Sequence, residues 1–134
     1  MTETHLIILR LVYAANVLVA GWVGLTSLLS PSNAMSVVFT GAVWGDGSVL
    51  AVRLVGCLWT AIAVMSAMGL VWPTGMTAVL MVQLIYKGLW LAVVAGPVVW
   101  RGETERLPWG MTGFFVVWVM ALPWIIPWRA LLRA

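Results

Sequence analysis

Charge is what this chain has least of. Only 8% of its 134 residues are Asp, Glu, Lys or Arg, against about 25% in a soluble globular domain. The acids are Glu3, Asp46, Glu103 and Glu105, and none of them lies in an apolar stretch. The net charge of +3 and a pI of ≈ 9.8 come without a basic cluster or a basic helical face, which excludes nucleic-acid binding. A single cysteine, Cys57, excludes an internal disulfide and dithiol exchange within the chain. The one histidine, His5, stands near the N-terminus. With one isolated thiol and scattered methionines, it supplies no metal or haem ligand set. Carboxylate pairs and nucleophile–base sets are equally missing, so hydrolytic or acyl-transfer catalysis by this chain alone is not expected.

What fills the chain instead is apolar: 63% of the residues are hydrophobic and the mean hydropathy is +1.08. Four apolar segments predict an all-α fold, a polytopic membrane protein with four transmembrane helices in one antiparallel bundle, residues 1–134 forming a single domain. The expected helices are about 6–29, 49–71, 76–99 and 109–128. Thr4 is the expected cap of the first, and Ser30-Pro31 its stop. Ser48 caps the second, Trp72-Pro73 ends it, and Pro108 opens the fourth. Pro123 and Pro127 each remove a ladder hydrogen bond, so the last turns of the fourth helix are expected to kink or unwind. The first apolar run is too long for a cleaved signal segment and is taken as a retained span.

Small residues predict where helices approach closely: Ala20, Gly21 and Gly24 in the first helix, Gly56, Thr60, Ala63 and Ala67 in the second, Gly88, Ala92 and Gly96 in the third. The first connection, from Ser30 to Ser48, contains no lysine or arginine. Its apolar middle, from Met35 to Thr40, is expected to lie at the interface or dip back into the bundle. Gly41, Gly45 and Gly47 bracket Trp44 and Asp46, but the Lys-Ser/Thr ending of a phosphate loop is absent. Basic residues divide equally between the two sides, Arg10, Arg129 and Arg133 against Arg53, Arg101 and Arg106. The uncharged first loop therefore carries the orientation, with both termini cytoplasmic.

The stretch with most chemical content is Gln83-Leu84-Ile85-Tyr86-Lys87-Gly88-Leu89-Trp90. Lys87 is about 16 Å from either end of its helix at ~1.5 Å per residue, too deep for its stem to reach the headgroups. A central lysine costs about 2.5–3.5 kcal/mol on insertion scales, so an intramembrane lysine is a candidate functional residue. No acid in a helix can neutralise it. Three resolutions stand: a neutral amine, a lysine held by Gln83 and the faces of Tyr86 and Trp90, or contact with an anionic ligand, headgroup or partner acid. Gln83, Lys87 and Trp90 share one helical stripe. Asp46 is the natural partner of Arg53 and also the nearest loop acid that could fold toward Lys87. Of the ten tryptophans, Trp22, Trp59, Trp90 and Trp118 lie deep, one per helix. They either fill the core or line a pocket for a flat apolar molecule.

The order of these features resembles the broad DoxX-like group of small four-helix bacterial membrane proteins: a first helix ending near a proline, an arginine early in the second, and Gln83-Leu84-Ile85-Tyr86-Lys87-Gly88-Leu89-Trp90 in the third. The resemblance implies a bacterial inner-membrane location and, for a few members, quinone-linked sulfur oxidation. Three functional expectations follow. The first is a non-catalytic accessory or assembly subunit that binds a partner, a second copy, a membrane lipid or an apolar cofactor through Lys87, Gln83, Tyr86, Trp59 and the small-residue seams. The second is an oxidoreductase subunit holding a quinone near Lys87, Trp90 and Arg53. The third is a small transporter or channel-like oligomer with Lys87 facing an anion path.

Overall fold

In the structure, a computed structural model, residues 2–39 and 48–133 are described. They form helices joined by turns, with no strand among them. Helix α1 is Glu3–Leu29, α2 is Ser48–Val71, α3 is Thr77–Trp100 and α4 is Trp109–Ile125. The expected Trp44 and Asp46 turn lies outside the described residues. Among the described residues, α1, α2 and α3 are long and apolar enough to cross a membrane, and α4 is apolar but shorter.

Helix ends follow from the backbone groups available to satisfy them. α1 begins one turn earlier than expected, because the Thr2 hydroxyl rather than Thr4 takes the His5 backbone N–H at 3.2 Å. It stops at Ser30, and Pro31 opens a short second helical stretch over Pro31–Asn33 and Ala34–Val38. That stretch puts Ala34 and Phe39 into the core. α3 closes on Gly102 at φ 74°. Gly102 donates to Val99 and Glu103 donates to Val98, the paired bonds of a glycine-terminated helix. Pro123 stays inside α4, whereas Pro127 ends it: Ile126 turns extended and the chain resumes as the short helix Trp128–Leu132.

The tightest contact is α1 against α2, antiparallel and built on glycine. A Cβ on Gly24 would lie 2.6 Å from the Thr60 nitrogen, and one on Gly56 would lie 2.5 Å from the Leu28 nitrogen. Only hydrogen fits at either position. A Cβ on Gly69 would lie 2.8 Å from the Tyr13 ring, whose hydroxyl donates to the Pro73 carbonyl at 2.7 Å and ties α1 to the α2–α3 turn. The small-residue seam expected on α3 does not pack in this way: nothing stands within 4 Å of a Cβ on Gly88, and Gly96 meets only the Leu91 carbonyl of its own helix. α3 joins α4 through large aromatic side chains instead, so its glycine stripe faces outward.

Candidate functional site

Lys87 is 1% exposed, and its surroundings are rings. The ammonium nitrogen lies 5.7 Å from the ring centre of Trp59, 5.6 Å from Tyr86, 5.4 Å from Phe114, 5.6 Å from Phe115 and 5.0 Å from Trp118. All five fall inside the ~6 Å range where the negative face of an aromatic ring attracts a cation. Among the described residues it forms no ion pair or hydrogen bond. α2, α3 and α4 each contribute to the cage, because Phe114, Phe115 and Trp118 occupy adjacent turns of α4 and present their side chains to one level of α3.

Phe115 is the hub of this aromatic cluster. It lies stacked with Trp59 at 6.1 Å between centroids and 18° between planes, and it meets Tyr86 and Trp90 edge-on at 5.9 and 5.4 Å. Such offset and edge arrangements are the favourable ones for ring quadrupoles. One helical turn before Lys87, Gln83 accepts a hydrogen bond from the Asn16 amide at 3.0 Å, linking α1 to α3 inside the core. One turn after it, α3 widens into a π turn over Leu91–Ala95, a feature that recurs at functional sites because it re-aims side chains.

A slot of ≈ 740 Å³ runs beside the cage, bounded by α2, α3 and the start of α4. Trp59, Tyr86, Trp90 and Phe115 line its middle, so three rings of the cage are also slot wall. Along α2 the lining extends from Ala51 to Met65, about 21 Å at ~1.5 Å per residue. The rest of the wall is aliphatic apart from Phe39, Met65 and Met111. Leu58 and Val82 belong to them and are 57% and 53% exposed, so the slot opens sideways between α2 and α3.

The structure therefore brings Trp59, Tyr86, Lys87 and Trp90 together. Trp90 touches Phe115 and lines the slot rather than facing the ammonium, and Gln83 is engaged by Asn16 rather than by Lys87. Arg53 is exposed on α2, roughly 100–160° around the helix from the slot-lining Val52, Val55 and Trp59 at ~100° per residue. Asp46 lies outside the described residues. Trp22 is 53% exposed and takes no part in the cage. Phe114, Phe115 and Asn16 were not singled out from the sequence. The signal for the first two was an aromatic pair followed by Trp118 one turn later, in the middle of the helix next to the one that carries the lysine.

No cluster of three or more His, Cys, Asp or Glu that could hold a metal occurs among the described residues. No protein-family model, curated protein or solved structure matches the chain.

Proposed function

We propose that this is a small integral membrane protein with four spanning helices that acts as a non-catalytic binding or accessory subunit, and that the slot beside Lys87 is where it holds an apolar molecule. α4 has 17 residues, the lower end of the range of about 17–25 that suits a span. The observation that carries the binding role is the slot itself. It is within the size range of small-molecule sites, apolar along its length, and lined at mid-height by a cluster of rings. Its side opening suits a molecule that arrives from within the bilayer. The resemblance to DoxX-like proteins agrees with a four-span architecture and specifies no ligand.

The test is purification in mild detergent followed by native mass spectrometry and an absorption spectrum. The wild-type protein is expected to retain an apolar molecule. Val55→Trp, which fills the slot from α2, is expected to lose it while still folding. A ligand-free wild-type protein that also takes up no added apolar probe overturns the proposal.

A further inference from the structure

We infer that the molecule seated in the slot carries hydrogen-bond-accepting oxygens on a long apolar body: a carbonyl-headed lipophile, whether a quinone ring or the ester or carboxyl end of an acyl lipid. This rests on the proposed slot binding and adds the chemical class of the ligand.

The inference comes from the polar atoms on the slot wall. Three side chains there carry a donor: the Trp59 and Trp90 indole N–H groups and the Tyr86 hydroxyl. None of the three donates to a described residue. The Tyr86 oxygen is buried without a partner, whereas the two indole nitrogens, equally without a partner, stay accessible. Elsewhere the same residue types do find acceptors. Tyr13 donates to the Pro73 carbonyl, Trp109 to the Thr104 carbonyl and Trp128 to the Pro123 carbonyl. An occupant that fills the slot covers the accessible indole donors, and a donor removed from water and left unmet is destabilising.

The wall is one-sided as well as unpaired. Its remaining side chains are aliphatic, plain aromatic or the thioethers of Met65 and Met111, so apart from the Tyr86 oxygen, which is itself a donor, they offer only two weak sulfur acceptors. A purely hydrocarbon occupant leaves both indole donors unmet. An occupant with donors only gains nothing from the indoles. A carbonyl oxygen meets them, and its flat sp² centre lies readily against rings already set in stacked and edge-on pairs. The donors cluster midway along the slot, with Trp59 and Tyr86 ring centres 6.2 Å apart and Tyr86 and Trp90 one turn apart on α3. That leaves room for a tail on the aliphatic part of the wall.

The experiment uses full-length protein stripped of bound lipid in detergent, with three probes read by native mass spectrometry: decylbenzoquinone, methyl palmitate and hexadecane. At least one carbonyl probe is expected to bind about tenfold more tightly than hexadecane, and which one it is distinguishes a quinone from an acyl source. Trp59→Phe with Trp90→Phe keeps both rings and removes both N–H groups. That pair, with Tyr86→Phe added, is expected to abolish the preference and leave hexadecane binding unchanged. Val55→Trp is expected to block all three probes. Equal binding of hexadecane and the carbonyl probes by the wild type, or a preference that survives the triple replacement, overturns the inference while leaving slot binding intact. If no probe binds, the slot reading itself fails and the inference falls with it.

Discussion

The ammonium nitrogen of Lys87 lies 5.0 Å from the centre of the Trp118 ring, the shortest of its five approaches to aromatic faces. This relationship gives an aromatic enclosure to a lysine that the sequence places deep in an apolar helix with no acid to neutralise it. Cation–π attraction is about 0.5–1 kcal/mol at exposed sites and about 2 kcal/mol or more when desolvated. A set of five such rings is therefore comparable with the insertion cost of about 2.5–3.5 kcal/mol for a central lysine.

The cage predicts energetic coupling between Lys87 and Trp118. Lys87→Met removes a costly charge and its compensation together, so the expected net change in stability is within about 1 kcal/mol of zero. Trp118→Leu in the wild-type background loses packing and a cation–π partner at once. In the Lys87→Met background it loses packing alone. A double-mutant cycle, followed by reversible unfolding in mixed detergent, is expected to give a coupling of about 0.5–1 kcal/mol. Strict additivity would sink the cage as an energetic unit.

The α1–α2 contact predicts a contrast between glycines. Gly24→Ala and Gly56→Ala each drive a methyl group to within 2.6 Å of opposing backbone. Helix backbones cannot yield as a side-chain tip can, so each is expected to destabilise the fold by about 1–3 kcal/mol or more. Gly88→Ala meets nothing within 4 Å and replaces a poor helix former with the best one. It is expected to be neutral or stabilising by up to about 1 kcal/mol. The same unfolding assay ranks all three, and a Gly88→Ala protein as unstable as Gly24→Ala would show that the outer face of α3 is packed against something.

The helices and the first two small-residue seams were legible in the sequence because each is encoded locally, by long apolar runs and by glycine at helical spacing. The partners across helices were not. Helical periodicity puts Gln83, Lys87 and Trp90 on one stripe but says nothing about which helix faces it. Asn16 therefore claimed Gln83, Phe115 claimed Trp90, and α4 supplied the rings nearest Lys87. The α3 glycines misled for a related reason: glycine permits close approach without compelling it, and large rings on the neighbouring face decided the packing. Of the four deep tryptophans expected to fill the core or line a pocket, only Trp59 and Trp90 line the slot, since a cavity is a property of how helices diverge.

The Asn16–Gln83 hydrogen bond is a second testable link, joining α1 to α3 with both side chains buried. Asn16→Leu leaves the Gln83 carbonyl oxygen without its donor. In a membrane protein such pairs average about 0.6 kcal/mol and reach about 1.7 kcal/mol. The expected loss for Asn16→Leu alone is about 1–2 kcal/mol, because a stranded polar group adds to the lost bond. Adding Gln83→Leu removes the stranded group, so the double variant is expected to be no less stable than Asn16→Leu. A double variant with the full sum of both losses would mean that the two side chains act independently.

The end of α4 gives the sharpest backbone test. Pro127 lacks the N–H that would bond to the Pro123 carbonyl one turn earlier, and the Trp128 indole takes that carbonyl at 2.8 Å. The Ile125 carbonyl, left free where the helix stops, pairs with the His5 ring at 2.7 Å and fastens the start of α1 to this end. Both side chains therefore replace backbone donors that the proline break removes. Trp128→Phe keeps the ring and deletes the donor, with an expected loss of about 0.5–1.5 kcal/mol and faster amide exchange in the last turn of α4. Pro127→Ala restores a backbone N–H at the position that needs it, so in that background the same Trp128→Phe change is expected to have little effect on stability or exchange. An equal loss in both backgrounds would show that Trp128 acts through packing, and that the proline break is satisfied in some other way.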